Sequence, residues 1–222
     1  MREAGSDAVR WTVTRAYTLV ATSDVSGRPL GPQRLVNYGV AGAVLADLGI
    51  AGRIKVDLDN GDLVRVVCPE PLHDEVLDEV LRRLVESPTN LRVSTWVKHL
   101  RSNRLRASVL DDLVDAGLLE RRSSHVLGVV PAPRFREADC RPEDEVVESI
   151  RAALRGTRPP DAVTACVIVL ADGTRVLTKV VDEVPPGAVE RIVADEGTSE
   201  VARKVARVIK IMRLAMAANA TP

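Results

Sequence analysis

The sequence predicts a mainly α-helical protein, a globular core of packed helices with one or two peripheral β-hairpins. Two observations support this prediction. Apolar residues recur at spacings of three and four along several segments, which is the period of a helix with one buried face. Aromatic residues make up only 2% of the 222 positions, so aliphatic side chains and alanine must fill the core. Such a composition favours close packing of helices.

The clearest helix lies in the stretch Arg34–Ile54, before a stop at Gly52, and is unusually rich in small residues. Its apolar positions follow the helical period at Leu35, Tyr38, Gly42, Leu45 and Leu48, and its small residues are Gly39, Ala41, Gly42, Ala43 and Ala46. Small residues allow neighbouring helices to approach closely. Gly52 then provides a stop, after which the alternation over 54–58, the turn at 59–61 and the apolar run over 63–67 predict a hairpin.

Other helices follow from the same periodicity. Three helices have a predicted start, at His73 or Asp74, after a possible cap at Thr89, and near Pro185-Pro186. Three others have predicted ranges, Asn103–Ala116, Glu143–Arg155 and Ser199–Ala218. The Thr89 helix should bury Leu91, Trp96, Val97 and Leu100. The pattern over Trp11–Thr22 fits either a helix or a strand.

Two further segments are harder to assign. Loose alternation over Leu118–Val130 suggests a second hairpin, and Pro131, Pro133 and Pro142 indicate that a connector follows it. The apolar run from Val163 to Leu170 would be a strand by its β-branched content. A short apolar run cannot be assigned by its period alone.

Composition limits the classes of function. Basic and acidic residues both number 31, so the net charge is zero, which argues against a general nucleic-acid binder. No apolar run approaches the roughly 20 residues that span a bilayer, and no secretion signal is apparent. We therefore expect a flexible tail over 1–10, a single domain over 11–222 and a cytoplasmic location, in which Cys68, Cys140 and Cys166 stay reduced.

The sequence offers no converging catalytic or metal-binding groups. His73, His99 and His125 occur in unrelated contexts, and neither a nucleophile elbow nor a Walker A loop is present. Acidic pairs such as Asp111-Asp112 stand on predicted helices, where a solvated face explains them. We expect no enzyme activity, no cofactor and no metal.

A local basic segment is the best candidate for a binding site. Lys98, Arg101, Arg104 and Arg106 lie within ten residues that contain no acid, with Trp96 directly before them. A guanidinium holds phosphate oxygens in a planar fork, and the start of a helix adds backbone amides. The segment could therefore bind a phosphorylated headgroup, although a solvated turn would also explain it.

The order of these motifs resembles a known family. Over about 14–218 the chain resembles a bacterial, actinobacterial-type member of the Golgi phosphoprotein 3 family. The resemblance rests on the stretch Thr18–Leu30, the small-residue helix with its hairpin, Leu77–Leu81 and Leu113–Leu119. The resemblance implies helices over Trp11–Thr22 and over 163–170. It also implies a non-enzymatic peripheral membrane protein, since eukaryotic members bind phosphatidylinositol 4-phosphate and link glycosyltransferases to a vesicle coat.

The family's phosphoinositide pocket maps only partly onto this sequence. Arg106 matches the second of two family arginines, whereas Asn103 occupies the place of the first, so that Arg101 or Arg104 would have to substitute. At the other wall Ala41 stands where the family has an arginine, and a residue near Pro32 stands where it has a tryptophan. Arg34 is then the nearest cation.

Two functional hypotheses follow. The first is an adaptor, peripheral at the cytoplasmic membrane, that binds anionic lipid or phosphate headgroups through Trp96, Lys98, the three arginines over 101–106, and Arg34. Its further partners would be protein clients or copies of itself, and not nucleic acid. The alternative is a winged-helix DNA-binding regulator using residues 89–130, although acidic residues on its would-be recognition helix would be repelled by DNA phosphates.

Overall fold

The computed structural model describes residues 11–23, 26–57, 60–123, 133–137 and 141–194. Within them the chain is mainly helical, with two antiparallel hairpins at its periphery. The helices are α1 Val13–Val20, α2 Gln33–Ile50, α3 Glu75–Val85, α4 Val93–Leu100, α5 Asn103–Asp115, α6 Arg141–Arg155, α7 Ala162–Thr174, α8 Leu177–Val180 and α9 Ala188–Ala194. The strands are β1 Ile54–Asp57, β2 Leu63–Val66, β3 Leu119–Ser123 and β4 Pro133–Glu137.

The small-residue helix α2 is the centre of the fold. It packs against α1, α3, α4, α5 and α7, and fourteen consecutive residues from Leu35 to Leu48 are buried. Helices α1 and α2 approach each other closely at Gly39, where an added Cβ would lie 2.0 Å from the hydroxyl oxygen of Tyr17. The absence of a side chain at this position therefore lets α1 lie directly against α2.

Most of the predicted elements are confirmed. Helix α1 lies within Trp11–Thr22, and α7 covers 163–170 as a buried helix, as the resemblance implied. Hairpin β1–β2 pairs Ile54 with Val66 and Asp57 with Leu63. The predicted helix over Ser199–Ala218 lies outside the described residues.

The second hairpin differs from its prediction. Strand β3 pairs with β4, at Pro133–Glu137, which the prolines had marked as a connector. Pro133 is the first residue of β4, a position where a missing N–H is tolerated. Pro142 lies likewise in the first turn of α6, where helix N–H groups have no partner within the helix.

The predicted cap at Thr89 is also wrong. Helix α4 begins at Val93, and Arg92 precedes it without a side-chain cap. An antiparallel bridge between Leu63 and Arg92 keeps the chain extended up to that point. The first hairpin thus delays the start of the helix beyond the residue that local capping chemistry favours.

A buried carboxylate holds the start of α1 on α2. Asp47 accepts hydrogen bonds from the backbone N–H groups of Val13 and Thr14 at 2.8 Å and from the Thr14 hydroxyl at 2.6 Å. Burial nevertheless raises the pKa of Asp47 to about 6. On the outer side of α1, Arg15 binds Asp112 of α5 through two hydrogen bonds of 2.8 Å. Helix α1 is thus tied to both α2 and α5.

No helix in the described part of the chain is both long and apolar enough to cross a bilayer.

Candidate anion-binding site

The starts of α2 and α5 meet at one end of the core. The side-chain oxygen of Asn103 accepts hydrogen bonds from Gln33 at 2.9 Å and from Asn37 at 2.8 Å. Neither helix has an acidic residue in its first turn, and only α5 has a side-chain cap, Ser102. Two positive helix ends therefore lie side by side without a nearby acidic residue of their own.

Arg101, between α4 and α5, lies over an aromatic ring of α2. Its guanidinium carbon is 4.9 Å from the centroid of the Tyr38 ring, which is within the range of a cation–π contact. Tyr38 is buried, whereas Arg101 is half-buried. The contact fixes the guanidinium while leaving part of it open to solvent.

Arg106, one turn into α5, is the most deeply placed cation of the site. Its Nη2 donates to the Thr22 hydroxyl at 3.2 Å, and burial lowers its pKa. The hydroxyl of Tyr17 lies close enough to oppose part of that shift electrostatically. Neither Arg106 nor Arg101 forms an ion pair with a carboxylate among the residues that the structure describes.

Several buried polar atoms at this end of α2 lack a hydrogen-bond partner. They are Nε of Arg101, Nε of Arg106 and the side-chain oxygen of Asn37, whose residue is only 8% exposed. Leaving a buried polar group unpaired costs about 1–3 kcal/mol. Both Nε atoms are closed to solvent, so an oxyanion beside these two helix N-termini would meet the parts of the two side chains that remain exposed.

The structure separates Arg104 from Arg106. Two residues apart on a helix, they differ by about 200° in direction. Arg104 lines a groove of 790 Å³ between α3 and α5, with the acidic residues Glu75, Asp78, Glu79, Asp111, Asp112 and Asp115 and the basic residues Arg82 and Arg83. Arg104 therefore faces a mainly acidic surface and does not join the pair formed by Arg101 and Arg106.

The remaining predicted site residues lie in three different settings. Arg34 is exposed in the first turn of α2, next to Gln33, and so lies at the end of α2 that carries the site. Lys98 is exposed on α4. Trp96 is only 6% exposed and belongs to the core, where its ring and that of His99 are nearly perpendicular, with centroids 6.2 Å apart.

Sequence reasoning missed Tyr38, Thr22 and Asn37 as parts of this site. The helical period places Tyr38 only on the buried face of its helix, and Thr22 and Asn37 belong to no recognisable motif. A signal was nevertheless present, because Asn37 is, like Asp47, a polar side chain within the mostly apolar stretch 35–48. Such a residue requires a partner, which the structure provides in Asn103.

The described residues contain no group of three or more histidine, cysteine, aspartate or glutamate side chains placed to hold a metal ion. Cys68 is half-buried, Cys166 is buried within α7, and Cys140 lies outside the described residues.

Comparison with known proteins agrees with the order of motifs along the chain. No curated protein matches the sequence. The model of the family described as Golgi phosphoprotein 3 (GPP34) matches residues 14–212, which is most of the 222-residue chain. With its mainly helical fold and its peripheral hairpins, this chain belongs to the Golgi phosphoprotein 3 family.

Proposed function

We propose that this protein is a non-enzymatic adaptor that binds a membrane surface by holding anionic lipid headgroups between Arg101 and Arg106. The observation that supports this function most directly is that both cations are partly buried and fixed without a carboxylate partner among the described residues. Structural arginines usually pair with a carboxylate, as Arg15 pairs with Asp112. An arginine that lacks such a partner is suited to bind an external anion.

Phosphate is the anion that this geometry favours. The half-buried guanidiniums keep donors open, and the adjacent starts of α2 and α5 add backbone N–H groups. The family's pocket is only partly retained, since Ala41 is buried within α2 and Asn103 is engaged with Gln33 and Asn37. The family has an arginine at the position that Asn103 occupies in this chain. We propose that Arg101, held over Tyr38, replaces that arginine.

Co-sedimentation with vesicles tests this function. Wild type should pellet with phosphatidylglycerol vesicles at moderate salt and not with phosphatidylcholine vesicles. A basic residue near an anionic surface is worth about 1 kcal/mol, so Arg101→Ala/Arg106→Ala should weaken binding by about 25-fold. The matched control is Arg104→Ala, which removes one charge from the α3–α5 groove and should weaken binding by less than either single variant at Arg101 or Arg106.

Two outcomes would contradict the proposal. One is equal pelleting of wild type and the double variant, provided that the melting temperature shows both to be folded. The other is salt-sensitive retardation of random duplex DNA without vesicle binding, which would favour the winged-helix alternative. The acidic residues that α5 presents to the α3–α5 groove argue against DNA binding by this helix.

A further inference from the structure

Helix α7 ends in an unusual way. Its last residue is followed by Arg175, which adopts the left-handed conformation with φ 63° and ψ 27°. The same left-handed turn follows α2, α5 and α6, and there it is made by Gly52, Gly117 and Gly156. Glycine is the usual residue because a Cβ strains this conformation. Arg175 therefore keeps a long basic side chain at a position where glycine would fold more easily.

The neighbours of Arg175 place it beside the candidate site. The preceding residue, Thr174, accepts a hydrogen bond of 2.9 Å from the Tyr17 hydroxyl, which is also the group that interacts electrostatically with Arg106. The carbonyl oxygen of Thr174 would lie 3.4 Å from a Cβ at Gly31, two residues before the first residue of α2. The end of α7 and the start of α2 are thus in contact.

The guanidinium of Arg175 is available for a ligand. Arg175 is exposed, and its side chain forms neither an ion pair nor a hydrogen bond with any residue of the described ranges. On the side of α5, Arg101 and Arg106 are likewise without a described carboxylate. Arg175 therefore follows directly on the residue that contacts Gly31 before α2, while Arg101, at the α4–α5 junction, lies over Tyr38 of α2.

We infer that Arg175 is a further headgroup-binding residue and that the site extends across the start of α2 to contact a second phosphate. This inference rests on the proposed function, because it assigns another residue to the same site. The second phosphate belongs either to a headgroup with two phosphates or to a neighbouring lipid of the same surface. A role of its charge in binding accounts for an arginine at a position where glycine would be less strained.

The variant Arg175→Gly gives this inference a distinctive test. Glycine relieves the backbone strain, so the variant should melt about 2–4 °C higher than wild type. It also removes one cation, so affinity for phosphatidylglycerol vesicles should fall about fivefold. A more stable protein that binds more weakly is a result that a merely structural residue would not give.

Two control variants distinguish the loss of the Arg175 charge from a general loss of positive charge and from the relief of backbone strain. Arg155→Ala removes an exposed arginine from the end of α6. The loop 156–161 connects this position to the beginning of α7, whereas Arg175 follows the end of α7. His73→Gly relieves the left-handed backbone of a residue with φ 60° that precedes α3. Both controls should bind vesicles as wild type does. Cardiolipin and phosphatidylglycerol vesicles at equal total phosphate distinguish a two-phosphate headgroup from two neighbouring lipids.

The outcomes separate this inference from the proposed function. Unchanged vesicle binding by Arg175→Gly, with binding lost in Arg101→Ala/Arg106→Ala, overturns the role of Arg175 alone. An equal loss in Arg155→Ala overturns it too, because the effect would then be one of net charge. If wild type binds no anionic vesicle, the proposed function fails and this inference fails with it.

Discussion

The hydroxyl oxygen of Tyr17 occupies the space in which a side chain at Gly39 would begin. An ideal Cβ at Gly39 would lie 2.0 Å from that oxygen and 2.2 Å from the ring carbon that bears it. Tyr17 is fully buried, so its ring has no free space into which to move. This contact limits how closely α1 and α2 can approach, and the same hydroxyl interacts electrostatically with Arg106.

Gly39→Ala should therefore destabilise the protein, although alanine is the better helix former. Overpacking of a filled core costs roughly 1–3 kcal/mol, which exceeds the gain of about 0.5–1 kcal/mol from helix propensity. Urea unfolding measures the change. In the double variant with Tyr17→Leu the penalty of the alanine should shrink, and additive effects of the two substitutions would contradict the proposed clash.

Tyr17→Phe tests the hydrogen bond between α1 and α7. The Tyr17 hydroxyl donates to the Thr174 hydroxyl, which itself donates to the carbonyl oxygen of Leu170. Loss of one buried hydrogen bond should lower the free energy of unfolding by about 1 kcal/mol. Thr174→Val removes the other partner, so the two substitutions together should cost less than their sum.

The buried Asp47 predicts a dependence of stability on pH. Burial raises its pKa in the folded protein from 3.8 to about 6, so between these values the folded state binds more protons than the unfolded state. The contribution of Asp47 to the free energy of unfolding is thus largest below pH 4 and falls by about 3 kcal/mol as the pH rises through 6. Urea unfolding at a series of pH values measures this fall.

The control for this pH dependence is Asp47→Asn, which cannot ionise. The difference in stability between wild type and Asp47→Asn should move against wild type as the pH rises from 4 to 7. A difference that stays constant over this range would show that the Asp47 carboxylate is charged in the folded protein at acid pH.

The ion pair between Arg15 and Asp112 predicts a coupling between α1 and α5. Both side chains are about three-quarters buried, with exposed fractions of 24% and 27%. A double-mutant cycle with Arg15→Ala and Asp112→Ala should give a coupling of about 1 kcal/mol. The matched pair Arg83 and Glu79, both about half exposed, should give a smaller value. Equal couplings would show that burial adds nothing to the first pair.

Helix α7 illustrates what a local pattern leaves open. Its first nine residues are almost all apolar, and β-branched content alone favours a strand. In the structure α7 lies between α1, α2, α6 and α9, so it is buried on nearly all sides and has no polar face to reveal its period. Only the resemblance to a known family indicated a helix there.

The basic segment shows an error of a different kind. The sequence predicted that Arg101, Arg104 and Arg106 form one site, whereas the structure separates Arg104 from the other two. Arg101, Arg104 and Arg106 are close in sequence, yet the turn of α5 directs Arg104 towards the α3–α5 groove. Tyr38 and Thr22 come to the two other arginines from positions more than sixty residues away. The spacing of residues along α5 could have predicted that Arg104 and Arg106 point in different directions. It could not have predicted the contacts with Tyr38 and Thr22, which come from distant parts of the chain.

The amino-acid sequence by itself determined the helical character of the chain, the small-residue helix at its centre and the family to which it belongs. These properties depend on local periodicity, on glycine and on the order of apolar segments, all of which can be followed along the chain. The tertiary structure decided that β4 pairs with β3 and which arginines lack a described carboxylate partner. Those properties depend on contacts between residues that are far apart in the sequence. Local periodicity carries no information about the free energy of such contacts.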